Sequence, residues 1–317
     1  MVSGRCKSRI AQKSDESVAM TIRSGTTTGI FTRIRTFLEM IKFSHTVFAL
    51  PFAFTGAVLA AQGVPSLYQV FWIMMAMVGA RTAAMGLNRL IDAEIDARNP
   101  RTSGRALPAG LLGKWTVGFF IVFSMLLMVY AAARLNPLCF RLSPVALFFL
   151  ALYSYCKRFT AMAHLVLGLC LGAAPVGAWI AIRGSIELPV VLLGMAVLFW
   201  VAGFDILYAL QDLEFDRQSG LHSIPVRLGV SGSLWLARSF SLVMVALLLA
   251  VYFLLPVGGF FLAGILLASL LLTYEHWLLR NGDLVRLDMA FFTMNGYISV
   301  IIFVATLIDV VVRKGSA

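Results

Sequence analysis

Two acidic triplets stand out in a chain that has few carboxylates. Of only 15 Asp and Glu residues, six fall in Asp92, Glu94, Asp96 and in Asp212, Glu214, Asp216. Asn88, Asp92 and Asp96 are spaced i, i+4, i+8, which predicts one helical face drifting about 40° per step; Arg81 lies on the same stripe. Asp205, Tyr208, Asp212 and Asp216 line a second face in the same way, while Glu94 and Glu214 point off it as solvated neighbours. Carboxylate and amide oxygens suit a hard ion such as Mg²⁺, which usually keeps waters and bridges to substrate phosphates. Cations follow each cluster: Arg98, Arg101 and Arg105 after the first, Arg217 and Arg227 after the second, with Lys157 and Arg158 at a third point. Metal-binding carboxylates among phosphate-binding cations point to ionisation of a diphosphate leaving group.

The elements that carry these clusters are membrane spans. The chain has 317 residues, 60% hydrophobic and 13% charged, with a mean hydropathy of +0.89; soluble domains run about 45–50% apolar and about 25% charged. About nine apolar segments are long enough to cross a bilayer, at 46–62, 68–90, 115–133, 142–156, 163–182, 188–212, 234–254, 258–279 and 288–311. The expected fold is therefore all-α and polytopic. An apolar bundle with a diphosphate-binding surface fits a prenyl diphosphate better than a soluble nucleotide.

Sidedness follows from the basic residues. Twenty of the 26 Lys and Arg fall in the amino-terminal tail and in the loops after spans two, four, six and eight. Arg134, Arg141, Arg183, Arg313 and Lys314 are on the opposite side, and Arg81 is inside span two. This bias puts the amino terminus and both acidic clusters in the cytoplasm. The net charge of +11 reads as topology and anionic lipid headgroups, not nucleic acid, because no basic stripe with interleaved aromatics lies on a soluble domain. Residues 1–35 read as a flexible basic cytoplasmic tail without a signal peptide, and 36–317 as one transmembrane domain. Cys6, Cys139, Cys156 and Cys170 have no CxxC or metal-ligand spacing and read as small buried residues.

Asp92 to Asp212 is 120 residues, as is Asp96 to Asp216, and each cluster precedes a loop with Ser-Gly and then Pro. This pattern predicts two related halves, each contributing one cluster.

At these residues the sequence resembles the UbiA family of intramembrane aromatic prenyltransferases. Its NxxxDxxxD motif is met by Asn88, Asp92 and Asp96, its DxxxD by Asp212 and Asp216 within DILYALQDLEFD, and its YxxxK by Tyr153 and Lys157. The stretches IKFSHTVFALPFAF and YEHWLLR resemble its 4-hydroxybenzoate polyprenyltransferase branch. The resemblance implies nine helices around a central cavity capped by cytoplasmic loops. It also implies Mg²⁺ held by Asn88, Asp92, Asp96, Asp212 and Asp216, with Tyr153 and Lys157 in the catalytic set. Lys157, with Arg101 or Arg105, then steadies the phosphate oxygens, Arg158 and Arg217 being further diphosphate candidates. Diphosphate departure leaves an allylic cation, which a phenol ring attacks at the ortho carbon.

The acceptor is expected to be 4-hydroxybenzoate, in ubiquinone synthesis in a bacterial inner membrane, or else a naphthoate in menaquinone synthesis. Arg81 is read either as an acceptor-carboxylate ligand or as an ion-pair partner of Asp205 or a cluster Asp. His45 is either acceptor-facing or interfacial, and Asp205 and Tyr208 are positioned to activate a phenol. His222 and Ser223 belong to a loop that can lid the diphosphate. Tyr274, Glu275 and His276 read equally as catalytic or as helix-end capping, Asn295 as bundle-facing, and His164 as packing. A cation transporter is the rival of another class. It is disfavoured because both clusters lie at one membrane face and run into basic loops, whereas transporter sites lie near the midplane.

Overall fold

The computed structural model describes residues 29–41, 49–279 and 294–315. The helices are α1 Ile30–Met40, α2 Ala49–Ala61, α3 Leu67–Ile91, α4 Ala93–Arg98, α5 Lys114–Leu135, α6 Pro137–Cys156 and α7 Ala163–Arg183. They continue with α8 Leu188–Ala209, a 3₁₀ turn Leu210–Asp212, α9 Leu213–Gln218, α10 Ile224–Leu254, α11 Gly259–Leu278 and α12 Asn295–Gly315. No strand occurs among the described residues. Eight of these helices are long and apolar enough to cross a membrane, and the shorter α2 is a ninth apolar segment. Their outward faces carry large apolar side chains, such as Phe119, Val122, Phe123 and Leu126 on α5, as helices facing lipid do.

Lipid gives apolar helices no hydrophobic reason to associate, so small residues that let backbones approach become the contact. The α7–α8 seam is the clearest case. A Cβ built at Gly168 would stand 2.3 Å from the carbonyl oxygen of Leu198, and one at Gly172 would stand 2.4 Å from that of Gly194. No side chain fits there, and α7 and α8 are among the most extensively packed pairs, with α3–α5 and α8–α10.

Helix starts follow local chemistry. Asn136 caps α6, its side chain accepting from Cys139 N–H at 2.9 Å with Pro137 in the first turn, so this span starts before the expected residue 142. Ser223 caps α10 in the same way, with Pro225 in its first turn. The seventh span therefore starts ten residues before the expected 234, and Gly229, at φ 69°, kinks it where only glycine is unstrained. The stretch read as a tail also contains the start of α1, whose Phe37 and Met40 are buried and whose Phe37 ring stacks on Phe120 at 4.4 Å.

Asp309 in α12 is 1% exposed. Its carboxylate accepts from the N–H groups of Gly258 at 2.6 Å, Phe260 at 3.1 Å and Phe261 at 3.3 Å. These are orphan donors of the start of α11, and an anion at a helix N-terminus also meets a favourable dipole. Asp309→Ala strands three N–H groups at the start of α11, that of buried Phe261 among them, and is expected to cost about 3 kcal/mol. A lowered thermal midpoint in detergent, with both substrate KM values unchanged, is the check.

Candidate active site

The matched acidic clusters sit on matched backbone. α3 ends at Ile91, and Asp92 takes φ −89°, ψ 1° before the six-residue α4. In the other half, α8 gives way to the 3₁₀ turn, and Asp212 takes φ −102°, ψ 4° before the six-residue α9. Both lie in the sparsely populated bridge region, where many active-site residues sit. This corrects the expectation of one unbroken helical face: each motif bends at its first aspartate. Asp96 and Asp216 thus belong to short helices beside the spans that lead to them.

A cavity of about 720 Å³ lies between α3, α5, α6, α7 and α8, capped by the loops after α4 and α9. Its inner walls are apolar, with Ile73, Met77, Leu142, Ala146, Phe149 and Leu171 among them. Its polar and charged residues include Asn88, Asp92, Asp96, Arg101, Arg105, Lys157, Asp212 and Asp216, joined by Arg81, Tyr153, Asp205 and Tyr208.

Three of the four motif aspartates, Asp92, Asp96 and Asp212, pair with cations. Asp92 is 2% exposed and meets Lys157 Nζ at 2.5 Å and Arg158 Nη2 at 3.0 Å. Asn88 Nδ2 donates to Asp92 Oδ2 at 2.9 Å. Arg105 Nη1 donates to both oxygens of Asp96 at 2.7 Å. The first loop then reaches across to the second half. Asn99 Nδ2 donates to Asp212 Oδ1 at 3.0 Å, Arg101 Nε donates to the same oxygen at 2.9 Å, and Arg101 Nη2 pairs with Asp212 Oδ2. Arg101 Nη1 also donates to Tyr208 Oη at 3.2 Å. Burial works against the Arg101 charge, but its bonds to Asp212 and Tyr208 outweigh that, so its pKa is held above the ordinary value. The second loop docks in turn on the third cationic point, where His222 N–H donates to the Lys157 carbonyl at 2.8 Å.

The donor set fits a hard cation. Asp92 Oδ1 is buried and takes no hydrogen bond; the nearby Arg158 supplies charge without an aligned N–H. Among the described residues no three Asp, Glu, His or Cys side chains come close enough to hold an ion alone. The protein therefore offers partial shells, to be completed by water or an anionic ligand, as Mg²⁺ sites usually are.

Not every expected residue reaches the cavity. Arg158 does not line it; it clamps Asp92 from behind, donating to the carbonyls of Ile91 and Ser154 at 2.9 Å. Arg217 is exposed and also absent from the lining. His45 lies outside the described residues. Arg81 forms no ion pair with Asp205 or a cluster Asp, and its buried Nε has no partner. Asp205 pairs instead with His164, Nδ1 to Oδ2 at 2.7 Å. His164 is 4% exposed and lines the cavity, so the packing reading of it missed a polar contact. Glu275 and Asn295 are buried against each other and Trp200, away from this cavity.

An apolar chamber inside a bundle of membrane-crossing helices, with carboxylates of both halves and the cations Arg101, Arg105 and Lys157 gathered in its wall, marks a multi-pass membrane protein suited to an amphiphile with an anionic head. The family model described as UbiA prenyltransferase family matches residues 49–297, and the chain belongs to that family. It is similar to a 4-hydroxybenzoate octaprenyltransferase of Francisella tularensis subsp. tularensis (strain WY96-3418), 28% identical over 261 residues that cover 82% of this chain and 89% of that one. The protein of the same name from Vibrio campbellii (strain ATCC BAA-1116) is 30% identical over 258 residues, covering 79% and 88%. Among solved structures, the apo UbiA homologue from Aeropyrum pernix K1 superposes with a TM-score of 0.77 at 32% identity, over 84% of this chain and 98% of that one. The Archaeoglobus fulgidus homologue bound to GPP and Mg²⁺ shares the fold, with a TM-score of 0.67 at 21% identity over 87% and 99%.

Proposed function

We infer that this protein transfers a polyprenyl chain from its diphosphate to 4-hydroxybenzoate, with Mg²⁺, as a step of ubiquinone synthesis. One observation carries the reading: four aspartates from two halves and the cations Arg101, Arg105 and Lys157 line an apolar cavity. The relatives named as 4-hydroxybenzoate octaprenyltransferases support the acceptor, and the GPP- and Mg²⁺-bound homologue supports the donor and the metal.

In this reading Asn88, Asp92, Asp96, Asp212 and Asp216 hold the metal, which when bound supplies neutralising charge for the leaving diphosphate. Arg101, Arg105 and Lys157 exchange aspartate oxygens for diphosphate oxygens, stabilising charge where it develops. The prenyl tail lies along the apolar wall. The aromatic faces of Tyr153, Phe149 and Tyr208 attract the allylic cation once the C–O bond parts. Arg81, a cation with a buried unpartnered nitrogen on the apolar side of the motif, binds the acceptor carboxylate. Its charge orients the ring so that the carbon ortho to the hydroxyl meets the cation. In the same reading the clusters and the amino terminus face the cytoplasm at a bacterial inner membrane, an orientation that the bias of basic residues supports, with residues 36–317 as one transmembrane domain behind a basic tail.

Purified protein given radiolabelled prenyl diphosphate and one candidate acceptor at a time tests the assignment. Labelled 4-hydroxybenzoate product is expected; product from a naphthoate or haem alone overturns the acceptor. Arg81→Leu is expected to raise KM for the acceptor by about 100-fold, the loss of one charge-assisted contact in a dry site. KM for the prenyl diphosphate should stay put, and steady-state kinetics with each substrate varied is the measurement.

A further inference from the structure

His164 stands at the second position of α7, buried, with its ring held at two points. Ile224 N–H points at Nε2 from 3.4 Å, so Nε2 holds the lone pair and Nδ1 carries the hydrogen toward Asp205 Oδ2. The tautomer is thus set by what each nitrogen faces. Ile224 is the first residue of α10. Its N–H is an orphan donor at a helix start, and Nε2 of the ring is the acceptor it faces. The ring therefore donates from Nδ1 to the carboxylate and fixes its plane.

Asp205 lies two helical turns before Asp212. Among the described residues no other cation comes within ion-pair reach of it, and its Oδ1 makes no ion pair or hydrogen bond. Charge balance with the basic loops does not explain it. A carboxylate at membrane depth, oriented by a buried histidine and lining the substrate cavity, has the arrangement of a base held by a partner.

We propose that His164 is a positioning residue that holds Asp205 as the base for the proton lost by the acceptor ring. The proposal rests on the prenyl-transfer reading above. The C–O bond between the prenyl C1 and the diphosphate breaks, and the diphosphate leaves with the electron pair. C1 bonds to the ring carbon ortho to the hydroxyl. The C–H bond at that carbon then breaks, its electrons restore the aromatic ring, and its proton passes to Asp205 Oδ1. Asp205 returns to the carboxylate by giving the proton to water or to the departing diphosphate. Nothing is oxidised or reduced.

The test uses the full chain in detergent with Mg²⁺, a polyprenyl diphosphate and 4-hydroxybenzoate carrying deuterium at both ortho carbons. His164→Leu is expected to lower kcat by about 10- to 100-fold, the usual effect of removing an orienting partner, with KM for the diphosphate substrate unchanged. Ring deuteration should slow this variant more than the wild type, because proton removal becomes limiting. Diphosphate release without acceptor should persist. His164→Gln, which keeps an N–H donor, should recover most of the rate, and adding His164→Leu to Asp205→Asn should cost nothing further.

Wild-type kcat in His164→Leu, an equal loss of acceptor-free diphosphate release, or full additivity with Asp205→Asn would each overturn the positioning role. If His164→Leu does not accumulate, His164→Gln decides: near-wild-type turnover supports the role, and turnover as low as that of Asp205→Asn overturns it. A wild-type protein that prenylates no aromatic acceptor refutes the functional reading itself, which is a separate result.

Discussion

Asp92→Ala and Asp212→Ala are each expected to lower prenyl transfer by about 1,000-fold or more, the scale seen when a preorganised charge-stabilising group is removed from a dry site. The two aspartates hold equivalent places at the bends that end α3 and α8, so loss of either should be as damaging as loss of both. Each change also strands cations: Lys157 and Arg158 lose Asp92, and Arg101 loses Asp212. Asn variants, which preserve volume, separate chemistry from folding. Asp92→Asn and Asp212→Asn should insert and purify like the wild type and still fail to release diphosphate at any Mg²⁺ concentration. Glu94→Gln, altering an exposed side chain in the same motif, should turn over normally. Full activity in either Asp92 or Asp212 variant removes the metal-site argument.

The second large effect is on the bundle. Gly168→Leu should abolish recovery of folded protein, because its Cβ alone would collide with the backbone of Leu198, and backbone cannot rotate out of the way. Over-packing in ordinary cores costs about 1–3 kcal/mol, because side chains shift; here α7 and α8 must part over their whole seam. Gly168→Ala should already lower the melting midpoint by several degrees. Gly177→Ala is the matched comparison on the same helix. Nothing stands within 4 Å of a Cβ there, so its midpoint should hold or rise slightly, as Ala is the better helix former. Equal midpoints for Gly168→Ala and Gly177→Ala would refute the seam as the contact that holds these helices together.

The motif residues were legible in the sequence because their spacing is local and repeated: Asn88 to Asp96 and Asp212 to Asp216 need no knowledge of what lies opposite. The spans were legible because lipid imposes a length and a composition. What escaped depends on contacts between distant segments. His164 looked like packing because Asp205, its partner, is 41 residues away. Arg101 was readable as a diphosphate cation, but its reach from the first half to Asp212 of the second was not. Arg158 and Arg217 share the charge of Lys157 and Arg105 and, like them, follow an acidic cluster or a span end, and only the helix ends decide which of them turn inward. The start of α10 was a local signal passed over: Ser223 followed by Pro225 is a helix opening, hidden by the polar residues around it.

The ion pairs that close the cavity also decide what is kept out. The leaflet around this protein is full of phosphodiester headgroups attached to apolar tails of suitable length. Such a headgroup carries one negative charge on its phosphate and would have to pull Lys157, Arg101 or Arg105 from a carboxylate that already satisfies it. A diphosphate arriving with divalent metal brings enough charge of both signs to replace both sides of every pair at once. Those ion pairs therefore favour a metal-laden diphosphate over the bilayer's own phospholipids, because one phosphate alone would leave a carboxylate of the cluster without its cation.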